Sequence, residues 1–531
     1  MKFDELTEDV INEAKSIYWN REIPWDDRMH QLMDLFGKSE RTVRKWCSEK
    51  LNFKESTNNL TIDNDQYKKA KERTLDTEKK YFLITWAQNN TPIHKKFFNN
   101  LKSYADFLDA PIHVIPGRYK NPTSIFSDET EDYWDDEVIP YLDASRNNVY
   151  DNITIFGDIK IQPTAVNPMS DLQGLCYKTS CVFGSPKIQL QSIPVLPGNK
   201  PRLMLTTGAC TLKNYTDSKA GKKGEFHHTY GAVIIEVKDS NTVFFRQITA
   251  KENGDFNDLY FNVSNGVVSK NNNIEAIVLG DLHCGQHDPV LLNSTKKNII
   301  EILNPKHIIL HDVFNGLSIN PHEAKDPFIQ FGKHVNGTDD LQKELDIMLN
   351  TLGEFYNYSA NVVVVRSNHD DFLDRWVRNE DWKKQPTVKN SRLYMKLSDM
   401  LLSQYEESPN NIRGIIPEII KNRFPKYITL GINDSYEIKG FELGMHGHLG
   451  VNGAKGGPES FRKLNTKMIS AHTHSTFRKD GLIICGTSTF LKLNYTNGPS
   501  SWTQGHVIID SYGKAQNIIF FDGEFTTLNN K

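Results

Sequence analysis

The sequence predicts an α/β protein in three parts: a small helical head, an α+β middle region and a C-terminal α/β region. Three observations predict it. Apolar residues recur at helical spacing near the N-terminus, short β-type runs fill the middle, and beyond Ile274 continuous apolar strands alternate with helical patterns. Its 531 residues fit about three domains at roughly 150 residues each. The boundaries read as 1–55 for a helix-turn-helix-like head, 56–80 for a linker, 81–270 for the middle region and 271–531 for the last.

In the head, Met29, Leu32, Met33, Leu35 and Phe36 share a helix face, and Gly37-Lys38-Ser39 ends it. Ser39 is placed to cap a second helix carrying Thr42, Val43, Trp46 and Cys47. That helix also carries Arg41, Arg44 and Lys45, the candidate DNA contacts. Basic helix faces are often merely solvated, so packing or assembly stands beside DNA contact as a reading of the head.

The polar stretch Lys54–Lys80 reads as a linker or an exposed helix. The middle region opens on a strand, Tyr81–Trp86, followed by a helix expected to start at Thr91-Pro92. Its buried face is Ile93, Phe97, Leu101, Ala105 and Leu108. Short strands then follow at Ile153–Phe156, Arg202–Thr206 and Ala232–Val237. The acidic run Asp128–Glu137 and the mobile basic loop Gly221–Gly224 read as solvated. His227 and His228 are expected on a strand, pointing to opposite faces. No function is legible in this region.

The third part carries chemistry. The strand Ile274–Leu279 runs into Gly280-Asp281-Leu282-His283, and Ile308–Leu310 ends in His311-Asp312. The strand Val362–Val365 leads to Ser367-Asn368-His369-Asp370. Strands Phe441–Met445 and Met468–Ala471 lead to His446-Gly447-His448 and His472-Thr473-His474. Helices are expected near Pro289–Leu303 and Asp339–Phe355. Polar groups just beyond the C-terminal ends of such strands sit where open α/β sheets bind ligands. A lone Asp-x-His means little. Five such strand ends in order predict a metal site.

Composition narrows the setting. Net charge is −3, which argues against a basic wrapper of nucleic acid and mildly against tight unspecific duplex binding. No run approaches ~18 apolar residues, and MKFDELTEDV has no signal-peptide core, so a cytoplasmic protein without membrane contact is expected. Six scattered cysteines with no CxxC pair read as reduced thiols.

Asp281-x-His283, Asp312, Asn368-His369-Asp370, His446-Gly447 and His472-x-His474 resemble the five motifs of the calcineurin-like metallophosphoesterase superfamily. The resemblance spans about residues 274–520 and, with the His-Gly motif and the head, lies nearest the SbcD-type DNA repair nucleases. The arrangement also resembles the host-DNA-degrading nucleases of T-five-like bacteriophages, which would place it in the host cytoplasm. His311 and Ser367 stand where the family has glycine.

The resemblance implies a β-sandwich flanked by helices and two divalent ions. Asp281, His283, Asp312 and His474 would hold one; Asp312, Asn368, His446 and His472 would hold the other. Mn2+ is the implied metal, with Fe2+, Zn2+ or Mg2+ as alternatives. The implied function is a DNase working by in-line attack of a metal-bound hydroxide, with His369 as general acid and Asp370 orienting it. His448, His287 and Arg366 are candidates for the surrounding layer. Lys455 and Arg462, in the glycine-rich stretch Gly450–Arg462, are further candidate DNA contacts, beside Phe461 and Trp502 as stacking rings. A dimer or larger homo-oligomer is implied as well. The alternatives are a phosphatase or small-molecule phosphodiesterase of the same superfamily, and a DNA-binding regulator on a relic enzyme fold.

Overall fold

The computed structural model describes residues 3–20, 25–51, 53, 69–76, 78–119, 134–271, 274–380, 383, 390–493 and 496–528. Most of the expected linker, up to residue 68, lies outside this set, as do residues 128–133 of the acidic run.

The head is helical. Glu8–Trp19 and Trp25–Phe36 precede a third helix that starts at Glu40 and runs on to Lys50. Their apolar stripes meet in a small core of Tyr18, Met29, Leu32, Phe36, Val43 and Trp46. Gly37, at φ 61°, turns the chain between the last two helices. Ser39 holds the capping position through its carbonyl, which accepts from Thr42 and Val43 N–H, while its hydroxyl meets that of Thr42 at 3.1 Å. The helix Glu8–Trp19 was not anticipated.

The rest of the described chain is mixed α/β, built on four sheets. One has six strands in the order Ile428–Thr429, Asn361–Val365, His307–His311, Ile274–Val278, Gly505–Asp510 and Ala515–Ile519. The first four are parallel and the last two antiparallel. A ten-strand sheet runs from Glu437–Ile438 at one edge to Arg146–Val149 at the other. It takes strands from both sides of residue 270, so the expected middle and last regions share one sheet. A four-strand sheet (Ile112–Gly117, Tyr81–Gln88, Gly231–Asp239, Thr242–Thr249) and a three-strand meander complete the set.

Alternation along each strand decides the layering. In the six-strand sheet, Ala276, Val278, Ile309, Val363 and Val507 face Phe441, Ile469 and Ile483 of the ten-strand sheet. Ile277, Ile308, Leu310, Val362 and Val364 face the opposite way, into a core shared with helices Leu341–Gly353, Asp370–Asn379 and Ile415–Arg423. The helix Pro289–Leu303, anticipated in the sequence, also packs there, with a widened turn over Thr295–Ile300.

One buried charge network ties the C-terminal end to the middle. Arg246 grips Asp258 with two bonds of 2.6 and 2.8 Å and reaches Glu236 at 2.9 Å. Gln516 donates to Asp258 at 2.9 Å, and the Thr526 hydroxyl donates to Glu236 at 2.7 Å.

Local expectations shift in the middle region. The helix there is Lys95–Leu108, three residues later than expected, with the His94 ring as cap, accepting from Phe97 N–H at 3.1 Å. Residues before it are held extended, because Ile93 N–H donates to Asp135 and His94 N–H to the Cys210 carbonyl. The stretch expected to be a mobile basic loop is a helix, Lys219–His227, capped by Ser218. Its glycines are packing contacts: a Cβ at Gly221 would lie 1.8 Å from the Thr216 carbonyl, and one at Gly224 2.7 Å from the Tyr215 ring. His227 therefore ends a helix, and His228 is buried. Six free thiols were expected, but Cys176 and Cys181 are paired, because the turn between them brings their Cα atoms to 5.8 Å.

Candidate metal centre

Each motif side chain stands just past a strand of one of two packed sheets, and the facing strand ends converge. Asp281 and His283 follow Ile274–Val278, Asp312 follows His307–His311, and His474 follows Lys467–Ser470. One ligand atom from each of these four residues falls within 4.8 Å of all the others. His474 Nε2 lies 2.9 Å from Asp281 Oδ2 and 3.1 Å from His283 Nε2, and His283 Nε2 lies 3.4 Å from Asp312 Oδ2. The cluster is buried and can hold a metal ion.

Asp312 also faces a second group. Its Oδ2 is 3.5 Å from His446 Nε2, which is 3.0 Å from Asn368 Oδ1. The His472 ring lies 5.1 Å from that of His446. All seven residues expected as ligands are thus in one place.

The backbone is committed to this arrangement. His283, Asp312, His472 and His474 all have left-handed φ, at 40°, 49°, 72° and 57°. Side chains rarely adopt it, and such strain concentrates where function over-determines the conformation. Gly447 goes further, at φ 112°.

The donor chemistry fits a cation. Asp281 Oδ1, Asp312 Oδ1 and His446 Nδ1 are buried with no hydrogen-bond partner, a costly state unless another charge completes it. Burial pushes His283 down to about 3 and His472 down to about 4, so both are neutral imidazoles with lone pairs to donate at neutral pH. Burial works to raise the Asp281 carboxyl, but His446 and His474 outweigh it and hold it at about 2. Against its own burial, His446 is drawn upward by Asp281 and Asp312. The two carboxylates therefore supply negative charge between imidazoles. Carboxylate and imidazole together suit Mn, Fe or Zn.

His369 stands at the edge of the cluster. Its Nδ1 is bonded to the Asn315 carbonyl, and its Nε2 lies 4.0 Å from Asp312 Oδ2. Asp370, expected to orient that ring, turns back instead: its Oδ2 accepts from Ser367 N–H at 2.9 Å. Burial pushes the Asp370 carboxyl up to about 8. The orienting Asn315 carbonyl was missed in the sequence, because a backbone oxygen has no residue signature.

A protein annotated only as Protein A1, from Escherichia phage T5, is 31% identical over 474 residues, 84% of this chain and 83% of the phage protein. The chain belongs to the Protein A1 family. No protein-family profile and no solved structure matches it.

Around the centre of this Protein A1 relative, the other candidates divide. Arg366 is a bracket, bonded to Asp371 and Asp374 at 2.8 Å each and to the Arg413 carbonyl at 2.6 Å. His448 lies 3.9 Å from Asp371 and is pushed by burial to about 3. His287 accepts from Gly285 N–H at 3.3 Å, outside the cluster. Trp502 packs edge-on against the His474 ring, 4.2 Å between centroids. Phe461 is core, among Met468, Leu482 and Ile484. Arg462 is tied to Glu459 at 2.6 Å and to Asp480, so its charge is already answered. Lys455 is exposed. In the head, Arg44 pairs with Glu40 at 2.7 Å, and Arg41 and Lys45 are exposed.

Proposed function

We propose that the chain is a metal-dependent phosphodiesterase that hydrolyses DNA, with the fold of the calcineurin-like metallophosphoesterases. The observation that carries this reading is Asp312, whose one oxygen faces His283 at 3.4 Å and His446 at 3.5 Å. A carboxylate placed so can bridge two ions, with Asp281, His283 and His474 on one side and Asn368, His446 and His472 on the other. Two divalent ions, Mn2+ by resemblance, supply Lewis acidity toward the phosphate and activation of water.

The chain's own groups do the rest. The Asn315 carbonyl fixes the His369 ring by taking the Nδ1 proton, which leaves Nε2 to carry a proton to the departing sugar oxygen. Arg366, locked by Asp371 and Asp374, holds the start of the helix that follows His369. The head's Arg41 and Lys45 favour a polymeric substrate over a small one. The phage origin of the relative supports action in the host cytoplasm, and a homo-oligomer belongs to the same reading.

The test is incubation of purified protein with MnCl2 and linear or closed circular duplex DNA, with an EDTA control. Mn-dependent loss of DNA is expected. Intact DNA together with rapid hydrolysis of an aryl phosphate monoester would replace this reading with a phosphatase.

A further inference from the structure

The middle region repeats the strand pattern of the metal-bearing region. Its four-strand sheet has the order Ile112–Gly117, Tyr81–Gln88, Gly231–Asp239, Thr242–Thr249, with parallel, antiparallel and antiparallel pairings. The strands His307–His311, Ile274–Val278, Gly505–Asp510 and Ala515–Ile519 have the same order and senses. Within the ten-strand sheet, Arg146–Val149, Ile153–Phe156, Ser180–Phe183, Arg202–Thr206 and Leu190–Ile193 pair antiparallel, parallel, parallel, antiparallel. Glu437–Ile438, Phe441–Glu442, Lys467–Ser470, Leu482–Ile484 and Phe477–Lys479 do the same. In each set the last-named strand precedes its neighbour in the chain. The metal-bearing unit adds two strands, Asn361–Val365 and Ile428–Thr429.

The irregular contacts agree too. Bridges Trp86–Ala209, Ala209–Tyr230 and Ile93–Thr211 match Asp281–Thr487, Thr487–Gln504 and His287–Thr489 in sense. Cys210 N–H donates to the Trp86 carbonyl at 2.8 Å, and Ser488 N–H to the Asp281 carbonyl at 2.8 Å. Thr229 N–H donates to the Pro186 carbonyl as Thr503 N–H does to that of His474. These anchors put Trp86 at the position of Asp281 and Pro186 at that of His474. Counting along the ladders puts Pro116 at the position of Asp312. None of the three can bind a metal.

Trp86 fills the space as well. Its ring is buried, and a Cβ on Gly117 would lie 2.0 Å from it, one on Gly184 2.8 Å. Those glycines follow the strands equivalent to the ones that lead to Asp312 and His472. The indole thus occupies the counterpart of the metal pocket.

The two units meet through equivalent strands. Leu190–Ile193 pairs antiparallel with Phe477–Lys479, with Phe477 opposite Gln191 and Arg478 opposite Leu190. Leu190 pairs inward with Leu205, and Arg478 with Ile483, which are matched positions. A strand paired antiparallel with its own counterpart at matched residues is the signature of a two-fold axis.

We infer that Tyr81–Thr249 is a second, metal-free copy of the metal-bearing unit, with Trp86 plugging its pocket, so that one chain is a covalent pseudodimer with a single loaded face. The pairing also consumes two sheet edges that would otherwise lie open.

The test is a crystal structure of the full chain grown with MnCl2, read at the manganese absorption edge. Superposition of the two units should require a rotation of about 180° and bring Trp86 onto Asp281, with anomalous signal beside Asp281, His283, Asp312 and His474 and none beside Trp86. Anomalous signal in the middle unit, or a superposition that pairs Trp86 with another position, would overturn the inference. Absence of signal from both units, with the superposition intact, would sink the metal reading and leave the duplication standing. In solution, Asp281→Ala combined with His474→Ala should remove all bound manganese; retention of metal by that variant would show a second site and overturn the silent copy.

Discussion

His283 Nε2 and His474 Nε2 stand 3.1 Å apart, although one follows a strand of the six-strand sheet and the other a strand of the ten-strand sheet. The contact joins the two layers at their ends. Two neutral imidazoles at that distance share at most one proton, and a cation between them satisfies both lone pairs. Saturating Mn2+ should therefore raise the melting temperature, with about 2.7 kcal/mol of added stability at a hundredfold excess over Kd. Calorimetry with and without MnCl2 checks this; an unchanged transition would contradict it.

Asp312→Asn should lose metal and activity together, because the lost charge faces both groups of ligands. Elemental analysis after desalting is the measurement. Two retained ions with normal turnover would remove Asp312 from the bridging position.

His369→Ala should keep its metal and its DNA affinity while losing ~10²–10⁴-fold in rate on DNA, the usual contribution of a general acid. An aryl phosphodiester, whose leaving group needs little protonation, should suffer much less. Equal losses on both substrates with loss of metal would make His369 a ligand.

Replacing Arg41, Arg44 and Lys45 together by Ala should weaken DNA binding and flatten its salt dependence. Arg44 is already paired with Glu40, so about two phosphate contacts are at stake, or a slope change near 2 at about 0.9 per contact. An unaltered salt slope would assign the head to assembly.

His228 sets an acid limit on the middle unit. It is buried, and burial lowers its ring to about 3, with Nε2 bonded to the Thr211 carbonyl and Nδ1 to the Tyr215 hydroxyl. The unfolded chain binds this proton near 6.5 and the folded chain does not, so stability is full above that value and falls as pH drops toward 3, by about 1.4 kcal/mol per unit. His228→Gln should be less stable at pH 7 but show a flatter decline between pH 6.5 and 4 in denaturant titrations. An identical slope would exclude His228 as the source.

The metal cluster was legible because its chemistry sits in short motifs: Asp281-x-His283 and His472-x-His474 each follow an apolar run, and the strands place them. The strand expected at Phe441–Met445 was legible in position but spans only Phe441–Glu442. The duplication was not legible, because the residues that mark the first unit are replaced by Trp86, Pro116 and Pro186, and matched strand order leaves no trace in composition. Helices Pro327–Asn336, Ser391–Glu407 and Ile415–Arg423 also went unread between the third and fourth motifs. Lys219–His227 read as a loop because its glycines, needed for close contact with Thr216 and Tyr215, carry the composition of a turn.

The bond from Thr526 to Glu236 spans 290 positions of the chain. During synthesis, a buried glutamate waits for a partner that leaves the ribosome among the last residues made. Until then, the sheet around Arg246 holds an incomplete charge network and cannot close as a finished unit. Chains released early, or cut near residue 500, should consequently fail in the middle unit first, far along the sequence from the damage.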